Sequence, residues 1–182
     1  MPNDVKLRTQ FVLTGDPTTV NETTPYAPGQ LGCVVLVKNT SAGVDPGQGS
    51  KTFRYVQVDS TATVAPFKGA VAWWSNKDTF LVTTNAANRG QVAGIFTSAN
   101  PNLGNFGYIQ IGGPAIVKFI DAVTSAPTAA GLHVIPSATN GKADCLASGS
   151  APTFPLIGVS NAAYNAPLAE AEVMLRIADD GA

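Results

Sequence analysis

GNFGYIQIGGPAIVKF, residues 104–119, combines a strongly apolar run with four glycines and one proline. The pattern predicts a strand, FGYIQI, then a turn at Gly112-Gly113-Pro114, then a return strand, AIVKF. Glycine supplies the positive φ that a tight turn requires, and proline fixes the start of the next strand. The first two glycines predict a second turn or a bulge just before Tyr108.

Phosphate binding is the competing interpretation of this glycine pattern. A dinucleotide fingerprint needs G-x-G-x-x-G at the opening of a helix, whereas here the spacing differs and a strand follows. Gly43–Thr52, GVDPGQGSKT, is a second near-match, to the P-loop. In it Ser50 separates the last glycine from Lys51, which we expect to open a strand rather than a helix. The first segment is therefore interpreted as a β-hairpin and the second as a hairpin loop.

Short apolar segments and turn signals recur along the rest of the chain. LGCVVLVKN, KTFRYVQVD, GAVAWW, TFLVTT and GQVAGIFTS each predict a strand, and in the second of these Arg54, Val56 and Val58 share one face. SNKD predicts the turn between the third and the fourth. Thr139-Asn140-Gly141 predicts a tight hairpin, because asparagine and glycine both tolerate positive φ. The fold class predicted is all-β, an antiparallel sandwich or barrel.

The segment near the C-terminal end, APLAEAEVMLRIADDGA, fits two secondary structures. A helix starting at Pro167 would pair Glu172 with Arg176 four residues later. A strand over residues 171–177 would place Val173, Leu175 and Ile177 inward. Because the rest of the chain predicts strands, the strand is preferred here.

Two parts of the chain differ in composition. Residues 1–30 are rich in Pro, Gly, Thr and Asn and contain one short apolar run, Phe11-Val12-Leu13. They are interpreted as an extended arm that docks on neighbouring subunits, with residues 31–182 forming the domain. The apolar run has the length to add a strand to an exposed sheet edge. The alternative is that Thr9–Leu13 forms the first strand of the domain's own sheet.

Composition limits the classes of partner. Charged residues make up 13% of the chain, about half of the ~25% typical of soluble proteins, and the formal net charge is −1. We therefore expect no nucleic-acid partner, and no apolar run is long enough to predict a membrane partner. A neutral surface suits packing against copies of the same chain. Cys33 and Cys145 lie in apolar settings and are predicted to be reduced, buried thiols.

Catalytic and metal-binding signatures are weak. His133 is the single histidine, and the sequence marks no serine or cysteine as its partner. One histidine and two isolated cysteines do not match the paired spacing of zinc ligands. Glu170 and Glu172 fit a solvated strand edge better than an acid–base couple. The sequence thus predicts no cofactor, no metal, no catalytic residues and no enzyme activity.

Trp73 and Trp74 are adjacent and would point to opposite faces of a strand. One is expected in the core. The other is expected to be exposed unless something covers it, and a large exposed aromatic side chain indicates a contact surface. Together with Phe11, Val12 and Leu13, the two tryptophans are the predicted interaction residues, toward a capsid or a neighbouring subunit.

RGQVAGIFTSANPNLGNFGYIQIGGPAIVKF, Arg89–Phe119, resembles a pattern of tailed-bacteriophage head decoration, or cement, proteins. In that family a G-V-A-G-hydrophobic strand leads to a G-N/D-Y/F-G-aromatic-hydrophobic-Q-hydrophobic-x-G hairpin. AGLHVIPSATNGKAD and PLIGVSNAAYNAPLAEAEVMLRI resemble the family's last hairpin and strands. The similarity extends from about Gly69 to Ile177. The long NAAYNAPLAEAE before the last strand departs from the pattern and leaves the register of that strand open.

The resemblance implies a structural virion protein without catalytic residues. Such a protein is made in the host cytoplasm, binds the outer surface of the capsid through the major capsid protein, commonly as a homotrimer, and stabilises contacts between capsomers. Two other functions stay open. A carbohydrate-binding tail or head-fibre module would show an exposed Trp73 or Trp74 beside a carboxylate in a groove. A small β-fold enzyme would show His133 in a pocket, within hydrogen-bond reach of a cysteine or serine.

Overall fold

The computed structural model describes residues 31–37, 50–97, 102–120, 126–146, 150–161, 163 and 169–177. The described chain forms ten strands and one short 3-10 helix at Ala86–Asn88. The strands are β1 Val34–Val37, β2 Lys51–Val58, β3 Val71–Asn76, β4 Leu81–Thr83, β5 Val92–Phe96, β6 Phe106–Lys118, β7 His133–Pro136, β8 Ala143–Cys145, β9 Gly158–Ser160 and β10 Glu170–Arg176. The predicted arm, with Phe11, Val12 and Leu13, lies outside the described residues.

Five of the strands close into a barrel. Their order is β2-β4-β3-β5-β6, and the pairing of β2 with β6 completes the ring. The β2–β4 pair is parallel, and the other four pairs are antiparallel. The prediction of an all-β fold of the sandwich or barrel type is confirmed.

Five further strands lie outside the barrel. β1 pairs with β2, and β10, β9, β7 and β8 continue the sheet from β6. Strand β6 serves both layers, because β2 pairs with Phe106–Gly112 and β10 pairs with Gly112–Lys118. Closure of the barrel and attachment of the outer layer therefore both depend on one long strand.

The prediction of a turn at Gly112-Gly113-Pro114 is wrong. β6 runs continuously through these residues, and its register against β2 shifts just before them, between Gln110 and Gly112, as in a β-bulge. Gly113 does adopt the expected positive φ, 81°, but the effect is a bend in a strand rather than a reversal. A Cβ at Gly113 would lie 2.2 Å from the carbonyl oxygen of Ser50, so the bend also presses β6 against the start of β2. Local sequence does not distinguish these outcomes, since both use the same conformation.

The other predicted turns form. β7 and β8 pair across Thr139-Asn140-Gly141, where Gly141 has a φ of 67°. β3 and β4 pair across Lys77–Phe80, two residues later than the predicted turn. Gly104 occupies a turn with a φ of 82°, as predicted, whereas Gly107 lies within β6 opposite Val56.

The strand predicted over residues 171–177 is confirmed. β10 covers Glu170–Arg176 and pairs with both β6 and β9. Val173 and Leu175 are buried, Ile177 packs against the same cluster, and Arg176 is exposed. The alternating pattern, with two paired neighbours, outweighs the helix propensity of the alanines and glutamates.

Three apolar clusters form the core. The first fills the barrel and takes side chains from all five barrel strands, among them Val56, Trp74 and Ile109. The second packs the outer layer against the barrel and includes Trp73, Val117 and Val173. The third covers the outer face of β2 and β6 with four aromatic rings, those of Phe53, Tyr55, Phe106 and Tyr108. Each cluster includes side chains from strands far apart in sequence.

The cysteines are free but not fully buried. Both are half-buried, Cys33 just before β1 and Cys145 at the end of β8. The prediction of buried thiols within strands is therefore wrong for Cys33 and only partly right for Cys145. Burial raises the pKa of the Cys145 thiol, and the neighbouring Asp144 carboxylate adds to the effect.

Candidate functional site

A pocket of about 510 Å³ lies at one end of the barrel. Arg54 lies on the same face of β2 as Val56 and Val58, whose side chains fill the barrel. In the same way, Ile111 lies on the same face of β6 as Ile109, which also packs inside the barrel. The remaining described lining comes from the end of β3, the turn after it, the start of β5, and the outer layer: Trp74, Lys77, Gly90, Gln91, Val92, Ala93, Pro155, Leu156, Arg176 and Ile177. Barrel mouths are frequent ligand sites, so we call this cavity the barrel-mouth pocket.

Three cationic side chains lie among the described residues that line this pocket. Arg54, Lys77 and Arg176 line it, and its described lining contains neither aspartate nor glutamate. The guanidinium carbon of Arg54 lies 5.9 Å from the centroid of the Trp74 ring, within the range of a cation–π contact. Trp74 in turn packs edge-on against Phe80 at 6.3 Å between centroids. The cationic group on β2 is therefore held against a rigid aromatic wall.

The tryptophans point to opposite faces, as predicted, but neither is exposed. Trp73 is 0% exposed and lies between the barrel and the outer layer, while Trp74 is 7% exposed and lies inside the barrel. The expectation of one exposed ring is wrong, because the outer layer covers the face of β3 that would otherwise meet solvent. The contact of Trp73 and Trp74 with a capsid or a neighbouring subunit stays a prediction. The argument that an exposed aromatic ring indicates such a contact no longer supports it.

The arrangement that would favour a carbohydrate-binding module is not observed in the described chain. That function called for an exposed tryptophan beside a carboxylate in a groove. Trp74 instead lines a pocket beside Arg54. The charged group beside this ring is therefore opposite in sign to the carboxylate that the carbohydrate-binding alternative required.

His133 and the cysteines do not form the pair that an enzyme would need. The His133 side chain is exposed at the first position of β7, and it is not among the residues that line the barrel-mouth pocket. Its contact with Cys145 runs through the backbone, since the Cys145 Sγ lies 3.5 Å from the carbonyl oxygen of His133. That contact orients the thiol along the β7–β8 hairpin and leaves the imidazole outside it.

The predicted glutamate pair has structural partners. Glu170 forms an ion pair with Lys118 across β10 and β6, with Oε2 and Nζ 2.7 Å apart. Glu172 accepts a hydrogen bond from the side-chain amide of Asn161 at 2.8 Å. Each therefore ties β10 to a neighbouring segment. In the part of the chain that the structure describes, no group of three or more His, Cys, Asp or Glu side chains has a metal-binding arrangement.

Sequence reasoning missed the barrel-mouth pocket, although one signal was present. The alternation in KTFRYVQVD places Arg54 on the apolar face of its strand, and an arginine there marks either a strand end or a site. Lys77 and Arg176 carry no such signal, because only closure of the barrel and docking of β10 bring them together.

Comparison with known proteins adds no family. Neither a family model nor a curated protein sequence matches the chain. Among the described residues, no helix has both the length and the apolar character needed to cross a membrane.

Proposed function

We propose that this protein is a structural component of a tailed-phage head, which binds the outer surface of the capsid as a trimer and stabilises contacts between capsomers. The observation that carries the proposal is the structural role of the segment whose sequence resembles that of decoration proteins. These residues build the barrel wall and its bend, so the motif specifies architecture rather than a reaction.

Two residues of the motif support this interpretation. A Cβ at Gly94 would lie 2.8 Å from the carbonyl oxygen of Gln110, so glycine permits the close approach of β5 and β6. Gln110 is 1% exposed, and its side-chain amide donates hydrogen bonds to carbonyl oxygens on both sides of Gly113. Buried amides with such partners hold the backbone geometry around them.

The surface also suits protein contacts. Among the described residues three large apolar side chains are exposed, Val34 by 50%, Ile116 by 40% and Leu103 by 38%. Val34 opens β1, which pairs only with β2 among the described strands, so its other edge is a candidate for strand addition. In the proposed assembly the apolar run Phe11-Val12-Leu13 of a neighbouring subunit adds to such an edge.

Co-sedimentation with phage heads tests the proposal. The purified full chain is mixed with heads of a phage whose lysate contains this protein, after those heads have been stripped of surface proteins. We expect saturable binding, in which the number of chains at each bound position on the head is divisible by three. We also expect sedimentation equilibrium to show a trimer, either before or after binding. A chain that stays in the supernatant at every concentration, while another decoration protein pellets with its own heads, contradicts the proposal.

A further inference from the structure

We propose that Asn140-Gly141, at the tip of the β7–β8 hairpin, is a deamidation site that is closed when the hairpin is docked on the barrel and open when the hairpin detaches. This goes beyond the proposed function, because it depends on the contacts of one turn and not on what the protein decorates. Asn140-Gly141 is the only Asn-Gly pair in the sequence.

The reaction needs only the residues of the turn and water. The backbone nitrogen of Gly141 attacks the side-chain carbonyl carbon of Asn140, so that a new C–N bond forms and the bond to Nδ2 breaks. Ammonia leaves with the proton of the attacking amide, and water then opens the cyclic imide to aspartate or isoaspartate. Glycine favours the attack, because its amide nitrogen is not shielded by a side chain and its backbone adopts many conformations.

The docked turn withholds the attacking nitrogen. The Gly141 N–H donates to the carbonyl oxygen of Thr84 at 2.9 Å, and the Gly141 carbonyl oxygen accepts from the Val71 N–H at 2.9 Å. Gly141 is buried, and the Phe67 ring lies against it, since a Cβ there would lie 3.0 Å from the ring. Attack would therefore require solvent base to reach a buried amide and would leave the Thr84 carbonyl unpaired.

The side chain of Asn140 is held through both of its polar atoms. Its Oδ1 accepts a hydrogen bond from the Ala86 N–H at 2.8 Å, and its Nδ2 donates to the Thr63 hydroxyl at 2.9 Å. The Thr63 hydroxyl in turn donates to Asn85 Oδ1 at 2.7 Å. The carboxamide is thus fixed to the barrel, and it loses both partners if it turns toward the backbone of Gly141.

Detachment of the hairpin releases both reacting groups together, because the same hydrogen bonds dock the turn and hold these groups in place. The reaction then prevents the original contact from forming again. An aspartate at position 140 has no side-chain N–H to donate, and the Thr63 hydroxyl already donates its own proton to Asn85. Isoaspartate also adds a methylene group to the main chain of the turn. Deamidation therefore marks the chains whose hairpin has left the barrel.

The test compares deamidation in the folded chain with deamidation in a free peptide. The full chain and the acetylated, amidated peptide SATNGKA, residues 137–143, are incubated at the same mildly alkaline pH. Loss of the Asn140 amide is followed by mass spectrometry of peptide fragments, and hydrogen exchange of the Gly141 amide measures how often the turn detaches. We expect the folded chain to react at least about tenfold more slowly than the peptide, because the turn must first break its hydrogen bonds to the barrel.

Matched threonine variants complete the test. Thr63 is exposed, so Thr63→Val removes the acceptor of the Asn140 amide without disturbing the core, and it should speed deamidation and Gly141 exchange together, about threefold. Thr63→Ser keeps the hydroxyl and should react at the wild-type rate. Thr61→Val removes an exposed hydroxyl of the same loop, which bonds to Asp59 instead, and should also react at the wild-type rate. Equal rates in the folded chain and the peptide, equal rates in the two valine variants, or faster deamidation without faster exchange overturns the proposal.

Discussion

The side-chain amide of Gln110 lies 2.8 Å from the carbonyl oxygen of Pro114, and this hydrogen bond spans the bend in β6. The same Nε2 donates to the carbonyl oxygen of Gly112 at 3.0 Å. One buried amide thus joins the barrel half of β6 to the half that carries the outer layer. The relationship explains why a polar residue occurs in the middle of an apolar strand.

Replacing Gln110 should destabilise the fold. Gln110→Met keeps the size of the side chain but leaves two carbonyl oxygens without this donor, at a cost of about 2 kcal/mol. Chemical denaturation measures the change in the free energy of unfolding. Gln91→Met, at an exposed position, is the matched control and should change little. Equal stabilities of the two variants would show that the amide does not hold the bend.

A glycine series separates backbone strain from close packing. Gly131 has a φ of 87°, and a Cβ there would meet no atom within 4 Å, so Gly131→Ala carries only the strain of that conformation, about 1 kcal/mol. Gly113→Ala adds a clash with the Ser50 carbonyl and should cost about 2–4 kcal/mol. Gly90→Ala lacks both features and should be close to neutral. The ranking is read from denaturation midpoints, and similar costs at 113 and 131 would contradict the close approach of β6 and β2.

A pH-dependent contact links the end of β3 to the turn after β2. The Ser75 hydroxyl donates to Asp59 Oδ2 at 2.5 Å and, with Thr61, lowers the pKa of that carboxyl from its ordinary 3.8. Because the folded pKa is the lower one, the contact stabilises the protein above pH 3.8, and this contribution disappears as the pH falls through the folded pKa. Ser75→Ala should raise the pKa of Asp59 in a carboxyl NMR titration. Ser60→Ala, at the adjacent residue, should not, and a similar effect of both would refute the assignment to Ser75.

The arm predicted from the sequence has its own test. Deletion of residues 1–25 should leave the thermal unfolding of the domain cooperative while weakening binding to phage heads at least about tenfold. The expectation rests on the scarcity of large apolar side chains in this segment, which therefore has no core of its own. The double substitution Phe11→Ser and Leu13→Ser provides the finer variant and should weaken binding in the same direction. Loss of folding in the deletion variant would instead favour Thr9–Leu13 as a strand of the domain.

Local patterns predicted much of the fold, for identifiable reasons. Alternation in β10 and the Asn140-Gly141 turn depend on neighbouring residues, so the sequence contains the relevant information. The sequence pattern at Gly113 predicts a turn rather than a bend, because the positive φ of this glycine occurs in both. What decides between them is the backbone of Ser50, which is distant in sequence.

The candidate site was less accessible to sequence reasoning. The exposed tryptophan expected at Trp73 or Trp74 depended on how many layers cover β3, which periodicity does not report. Arg54 on an apolar face was visible, but its neighbours Lys77 and Arg176 join it only through barrel closure and the docking of β10. Single-strand patterns indicate which face a residue occupies, and the assembled sheet decides what that face meets.

Electron microscopy of phage particles tests the central proposal most directly. One sample of particles, from a lysate that contains this protein, is labelled with a gold-conjugated antibody against the folded domain. A second, unlabelled sample of the same particles is used for the reconstruction. We expect gold over the outer surface of the head, and three-fold density between capsomers into which the barrel and its outer strands fit. Label confined to the tail or the fibres, or a protein absent from purified particles, would contradict it.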